Sequence, residues 1–269
     1  TLATLFLTLW WSASTTRNWC AFSISSTLGL LTKMNCASIV MAGIAMLIIK
    51  RGITLRTKLV SLAIFSLIAL MTNGAFIYKK FIHESQTHVI GNINNLNSGL
   101  IVGNSTANYL TFNPIKVLEI PFNNPWEDSS RRSNFWEYLF RSSLFGEFNF
   151  SKQILWLSTQ SVLAALQLLA LALCCLIVAL RVRHSQFIPM LLVLGIALAQ
   201  HVAIRILTPF SSTQDFRYSQ LIVLPIAYML ALGINYSRVE FKAIATWITI
   251  TWFITISAFF LNLYLKMPS

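Results

Sequence analysis

Five stretches of the chain run for about the thickness of a bilayer without an Asp, Glu, Lys or Arg: Leu59–Tyr78, Ile154–Leu180, Ser185–Ile204, Tyr218–Ser237 and Ala243–Leu265. Crossing a hydrocarbon core takes about 20 mostly apolar residues in a helix. A backbone inside lipid must also satisfy its own N–H and C=O groups, which a helix does internally. Each stretch therefore reads as a spanning helix. The remainder of the chain cannot offset them, because only 10% of all residues are charged, against about 25% in a soluble domain. Too few charges remain to coat a water-facing surface, so a soluble globular enzyme is excluded. With 56% hydrophobic residues, so is a disordered chain. Cys20, Cys36, Cys174 and Cys175 lie inside apolar runs and do not form the spaced framework of a disulfide-rich secreted protein.

Two more segments add to the count. Thr1–Ser14 is apolar from its first residues with no basic segment ahead of it, unlike a signal peptide. It reads as the tail of a further span, and the chain as an internal piece of a longer protein. Asn18–Ile49 holds one charge, Lys33, at its middle. It is one long tilted helix or two short ones. The cluster Thr32-Lys33-Met34-Asn35 would be costly at mid-bilayer, which favours two helices meeting there. The expected fold is an all-α polytopic membrane protein of seven to eight spans. Residues 1–78 hold the N-terminal helices with the first truncated, 79–152 a long loop, and 153–269 a four-helix membrane segment.

A net charge of +12 would suit nucleic acid. The basic residues punctuate apolar runs instead of forming a patch, so no nucleic-acid partner is expected, and they read as anchors at the membrane boundary. Short cytoplasmic loops are enriched in Lys and Arg. One set of turns carries Lys50, Arg51, Arg56, Lys58, Arg181, Arg183, Arg238 and Lys242; the opposite set carries Arg205, Arg217 and Lys266. The first set is assigned to the cytoplasm, which places the loop 79–152 outside.

That loop is too polar to span and too long for a simple connection. Its first half suggests short strands at Gly99–Val102, Tyr109–Phe112 and Lys116–Ile120, separated by Asn, Gly and Pro turns. Its second half suggests an amphipathic helix lying in the membrane interface. Trp136, Leu139, Phe140, Ser143 and Leu144 share one face, Glu137 and Arg141 lie off it, and Gly146 can end the helix. Such a helix either packs on the bundle for stability or walls a site for a lipid-linked substrate.

Charges at the outer face are the candidate site residues. Lys33 is either a snorkelling anchor or a phosphate ligand. His201 and Arg205, one helical turn apart, read as interface or bundle residues. In the run Thr208–Tyr218, Asp215 and Arg217 sit two residues apart just before a span. Spacing alone favours a local ion pair, worth about 0–1 kcal/mol on a wet surface; alternatively Asp215 holds Arg217 toward an anion such as a diphosphate. No Walker loop, Gly-x-Gly-x-x-Gly or Gly-x-Ser-x-Gly motif occurs, and no His or Cys cluster has metal-ligand spacing.

Taken in order, three of these segments resemble the integral-membrane GT-C glycosyltransferases, the group that includes protein O-mannosyltransferase-like and aminoarabinose-transferase-like enzymes. Leu28-Gly29-Leu30-Leu31-Thr32-Lys33 is similar to a segment ending in Leu-Thr-Lys. The run from Phe135 to Phe148 is similar to a loop signature ending in Phe-Gly-Glu. Asp215-Phe216-Arg217-Tyr218, followed by Leu221 to Pro225, is similar to the segment before a late span. The resemblance implies transfer of a sugar from a polyprenyl-phosphate-linked donor to a lipid, glycan or protein acceptor at the outer face of a bacterial cytoplasmic membrane, as a step in building cell-envelope glycans. It implies donor-phosphate roles for Lys33 and Arg217, support from Asp215 and Tyr218, and loop contacts from Trp136, Arg141 and Glu147. A divalent metal is compatible with such a site, without a ligand set legible here. The family's catalytic acid follows its first span, yet residues 1–78 contain no Asp or Glu. The acid is expected upstream of Thr1, the chain is expected to be the C-terminal part of such an enzyme, and alone it is expected to be inactive. The alternatives are a lipid-linked-sugar transporter or flippase component, and an O-antigen polymerase or ligase, which would use loop arginines such as Arg131, Arg132 and Arg141.

Overall fold

The computed structural model describes residues 2–79, 103–123, 134–147, 150, 155–182 and 186–265. In chain order the helices are α1 (Leu2–Ala13), α2 (Thr16–Thr32), α3 (Ala37–Ile49), α4 (Leu55–Ile77), α5 (Ala107–Leu110), α6 (Pro114–Glu119), α7 (Phe135–Phe145), α8 (Leu155–Val182), α9 (Phe187–Leu207), α10 (Val223–Asn235) and α11 (Val239–Leu265). Four of them, α4, α8, α9 and α11, are long and apolar enough to cross a membrane. Helices α1, α3 and α10 are apolar but shorter.

The remaining expected span, Tyr218–Ser237, is cut down to α10. Residues 211–214, 216–218 and 220–222 wind as 3-10 turns instead. The Asp215 side chain accepts the Arg217 N–H, a local bond that competes with helix. Pro225 has no N–H to donate, so the α-helix starts just before it. The expected strands are also corrected. Tyr109–Phe112 and Lys116–Ile120 fall on α5, α6 and the residues following them, and no strand occurs among the described residues. Asn113 decides the second case: its side chain accepts the N–H groups of Ile115 and Lys116, and Pro114 occupies the first turn. Gly99–Val102 lies outside the described residues.

The chain packs as two compact units. The first holds described residues 2–79, 186–202 and 221–228. Asn18–Ile49 is two helices, broken at Lys33, whose backbone is extended (φ −158°, ψ 125°). A Cβ on Gly29 would lie 3.2 Å from Cys36 Sγ, and one on Gly43 would lie 2.2 Å from Phe22 Cζ. These pairs are nested about Lys33, so α2 and α3 form an antiparallel hairpin with Lys33 at its tip. Trp19 Nε1 donates to Ser61 O (2.7 Å) and Asn73 Nδ2 to Thr27 O (3.4 Å). Both contacts ascend together, so α4 runs parallel to α2. Lys50 Nζ donates to the carbonyls of Trp10 and Trp11, closing the other end of the hairpin onto the end of α1. Arg17, Lys50, Arg51, Arg56 and Lys58 therefore gather at one end, and Lys33 marks the other. The core joins Leu7, Trp10, Trp19, Phe22, Met46 and Phe65, with Trp10 and Trp19 centroids 4.8 Å apart.

The second unit holds described residues 103–123, 134–147, 150, 155–182, 203–220 and 229–265. Val162 clusters with Phe259, and Cys175 with Ala245, so α8 and α11 run antiparallel. Phe122 and Phe145 pack on Phe259, with centroids 6.4 and 4.8 Å away. The loop helices thus sit at the start of α8, and Arg181, Arg238 and Lys242 at the opposite end.

Candidate functional site

The turn after α9 is built by its own side chains. Thr213 Oγ1 donates to the carbonyls of Thr208 and Phe210, both at 2.7 Å. Asp215 Oδ1 then accepts the Arg217 N–H at 2.7 Å, starting the 3-10 turn Phe216–Tyr218. Helix α7 supplies the second wall. Asn134 caps its start by accepting from Glu137 N, and Gly146 ends it at φ 67°, a left-handed conformation that glycine takes without strain. The two elements are tied where the Phe216 N–H donates to Ser142 Oγ at 2.8 Å.

This junction gathers five chemically active side chains. Arg217 Nη2 lies 3.5 Å from Glu147 Oε2, and its Nε 3.9 Å from Asp215 Oδ1. Tyr138 Oη donates to Glu147 Oε1 at 2.5 Å. The Tyr218 ring centroid is 5.3 Å from Arg217 Cζ. Asp215 is 10% exposed and Glu147 19%, whereas 46% of the Arg217 side chain reaches solvent. The guanidinium is thus held by two carboxylates while nearly half of the side chain stays exposed.

Burial pushes the Glu147 carboxyl above its ordinary 4.5; the Tyr138 hydroxyl opposes the rise, Asp215 adds to it and Arg217 opposes it. Burial, reinforced by the hydrogen bond and charge of Glu147, raises the Tyr138 phenol as well. At Arg217 burial works against the charge, but Tyr218, Glu147 and Asp215 outweigh it and hold the guanidinium above its ordinary value.

The other sequence candidates are distributed around this core. The face expected for α7 is corrected: Phe135, Glu137, Tyr138, Leu139, Arg141, Ser142 and Phe145 are its buried residues, while Ser143 is exposed. Arg141, a candidate loop contact, is fully buried, 3.7 Å from Glu137 and donating to Lys116 O at 3.0 Å. Glu137 also faces Lys116 Nζ at 3.9 Å and accepts the Asn113 N–H. That group staples α7 to α6, and it turns inward because each charge meets an opposite one there. Trp136 Nε1 donates to Tyr109 O at 2.6 Å, fixing α7 against α5. Arg205 is fully buried and holds the loop, with Nη1 on Asn104 Oδ1 (2.9 Å) and Nη2 on Gly103 O (2.8 Å). Lys33 belongs to the first unit, exposed at its hairpin tip. Arg131, Arg132 and Gly99–Val102 lie outside the described residues. Among the described residues no set of three or more His, Cys, Asp or Glu gathers as metal ligands.

Tyr138 was the residue missed by sequence reading. Its signal was the series Phe135, Tyr138, Ser142, Phe145, spaced for a second face of α7 that the more apolar residues obscured. No protein-family model, curated protein or solved structure matches the chain.

Proposed function

We propose that the chain belongs to a membrane glycosyltransferase of GT-C type, transferring a sugar from a polyprenyl-phosphate-linked donor at the extracytoplasmic face. The observation that carries it is Arg217, a half-exposed guanidinium oriented by Asp215 and Glu147 beside long apolar helices. A planar cation of this kind suits a phosphate oxygen, and neutralising the phosphate helps it leave as the sugar's C1 bond breaks. In this reading α1, α2, α3 and α10 also cross the membrane, bringing the spans to eight. The resemblance also gives Lys33 a donor-phosphate role, and Tyr218 flanks Arg217. Residues 1–78 carry no Asp or Glu, so in this reading the acceptor's proton goes to a carboxylate outside that segment. The burial of Arg141 against Glu137 favours this reading over a polymerase or ligase that uses that arginine, and the loop-anchoring contacts of Arg205 favour it over a transporter with a charged path.

The test is sugar transfer from a prenyl-phosphate sugar in membranes of cells expressing the full-length protein from its own gene. Arg217→Ala is expected to lower the rate by about 100- to 1,000-fold at unchanged membrane abundance. Transfer at the unsubstituted rate removes the reading.

A further inference from the structure

Two carboxylates grip one guanidinium here, so the group formed by Asp215, Glu147 and Arg217 carries a net negative charge when all three are ionised. An anion docking on Arg217 meets two like charges within 4 Å of its ligand, an arrangement that repels it. One carboxylate has to yield. Resting on the reading of Arg217 as an anion site, we propose that Glu147 is its exchangeable counter-ion, displaced by the incoming phosphate and taking up one proton from water as it lets go.

The geometry separates the two acids. Asp215 is fixed by the chain itself, because its Oδ1 accepts the Arg217 backbone N–H at 2.7 Å and so starts the 3-10 turn. It cannot leave Arg217 without unwinding that turn. Glu147 touches Arg217 only as an ion pair at 3.5 Å, longer than the ~2.7–2.9 Å of a charge-assisted hydrogen bond. Its other oxygen rests on the Tyr138 hydroxyl. A phenol donates to a carboxylate and, more weakly, to the carbonyl oxygen of a carboxylic acid, so Glu147 keeps a partner in both states. Burial already disposes this carboxyl toward its neutral form. Among the described residues, the charged and titratable groups facing it are Tyr138 from α7 and Asp215 and Arg217 from the 3-10 turn. Glu137 and Arg141, also on α7, pair with each other and with Lys116.

Linkage gives the consequence. A site that takes up one proton with its anion binds up to about tenfold more tightly for each unit the pH falls, as long as Glu147 is ionised in the free protein. The test is a titration of the detergent-purified protein with a short-chain prenyl phosphodiester between about pH 5 and 8, a range over which exposed carboxylates stay ionised and the diester keeps one charge. Binding is followed by calorimetry in buffers of different ionisation enthalpy, which reports proton uptake. The unsubstituted protein is expected to bind more tightly as pH falls, with up to one proton taken up. Glu147→Gln is expected to bind tightly at every pH without uptake, and Arg217→Ala not to bind. Helicity by circular dichroism checks that each variant is folded. Equal pH slopes in the unsubstituted and Glu147→Gln proteins, with binding still lost in Arg217→Ala, would overturn the counter-ion proposal and leave the phosphate site standing. Binding that survives Arg217→Ala, or no binding by the unsubstituted protein, removes the phosphate site and the proposal together.

Discussion

A guanidinium shut off from water has to find acceptors within the chain, and Arg205 finds them in Asn104 and Gly103. Asn104 in turn donates to Ile206 O and accepts from the Tyr109 hydroxyl. Removing one partner of such a buried charged group leaves the others without a counterpart. Arg205→Ala is therefore expected to cost about 2–4 kcal/mol, read as a lower unfolding midpoint in detergent, and to speed proteolysis near residues 103–110. Arg205→Lys should recover only part of the loss, since an ammonium lacks the fork that reaches both acceptors. Glu147 gives a prediction in pH. Its carboxyl is raised in the fold, so its contribution to stability is fully present below the unfolded carboxyl range and is lost as pH rises through the folded value. Glu147→Gln should flatten that part of the stability profile. Tyr138→Phe removes the hydroxyl that favours the carboxylate and should move the loss to higher pH. Neither effect was legible in the sequence. Glu147 stood out as a loop residue, but its meeting with Arg217 depends on two segments about seventy residues apart joined through the Ser142 hydroxyl and Phe216 N–H.

Among the elements, the close approach of α8 and α10 makes the sharpest demand. A Cβ on Gly233 would lie 2.4 Å from Cys175 Cβ and 2.5 Å from its Cα. Backbone cannot step aside as a side-chain tip can, so the helices must separate. Gly233→Ala is expected to cost roughly 2–3 kcal/mol, whereas Gly195→Ala in α9, where a Cβ meets open space, should cost nothing. Paired thermal unfolding of the two variants checks this, and equal midpoints would remove the close-packing account. Elements of this kind were legible where one signal dominated. The uncharged runs marked α4, α8, α9 and α11, and Lys33 marked the break between α2 and α3. The sequence misled where two signals competed. Asn113 and Pro114 outweighed the strand-like composition of Lys116–Ile120, and the pairing of Glu137 with Arg141 and Lys116 turned inward a face of α7 that looked polar.

For the whole molecule, each unit carries its own charge asymmetry. In the first, Arg17, Lys50, Arg51, Arg56 and Lys58 stand at the end closed by the Lys50 bonds to α1, opposite the Lys33 tip. In the second, Arg181, Arg238 and Lys242 lie at the end of the antiparallel α8–α11 pair away from α6 and α7. A membrane that retains Lys and Arg on its cytoplasmic side is expected to orient each unit by the same rule, and two independent measurements follow. With the four native cysteines replaced by alanine, single cysteines are placed at the exposed positions Thr32 and Leu55 in the first unit and Ser105 and Tyr236 in the second. None of these substitutions alters a charge, so none disturbs the asymmetry being tested. A membrane-impermeant thiol reagent should label Thr32→Cys and Ser105→Cys in intact right-side-out vesicles, and Leu55→Cys and Tyr236→Cys only after permeabilisation. The reverse pattern in both units would place Arg217 and Glu147 in the cytoplasm, where a donor presented outside cannot reach them. A reversal in one unit alone would show that its basic residues serve packing, as Lys50 does on the carbonyls of Trp10 and Trp11, and do not set orientation.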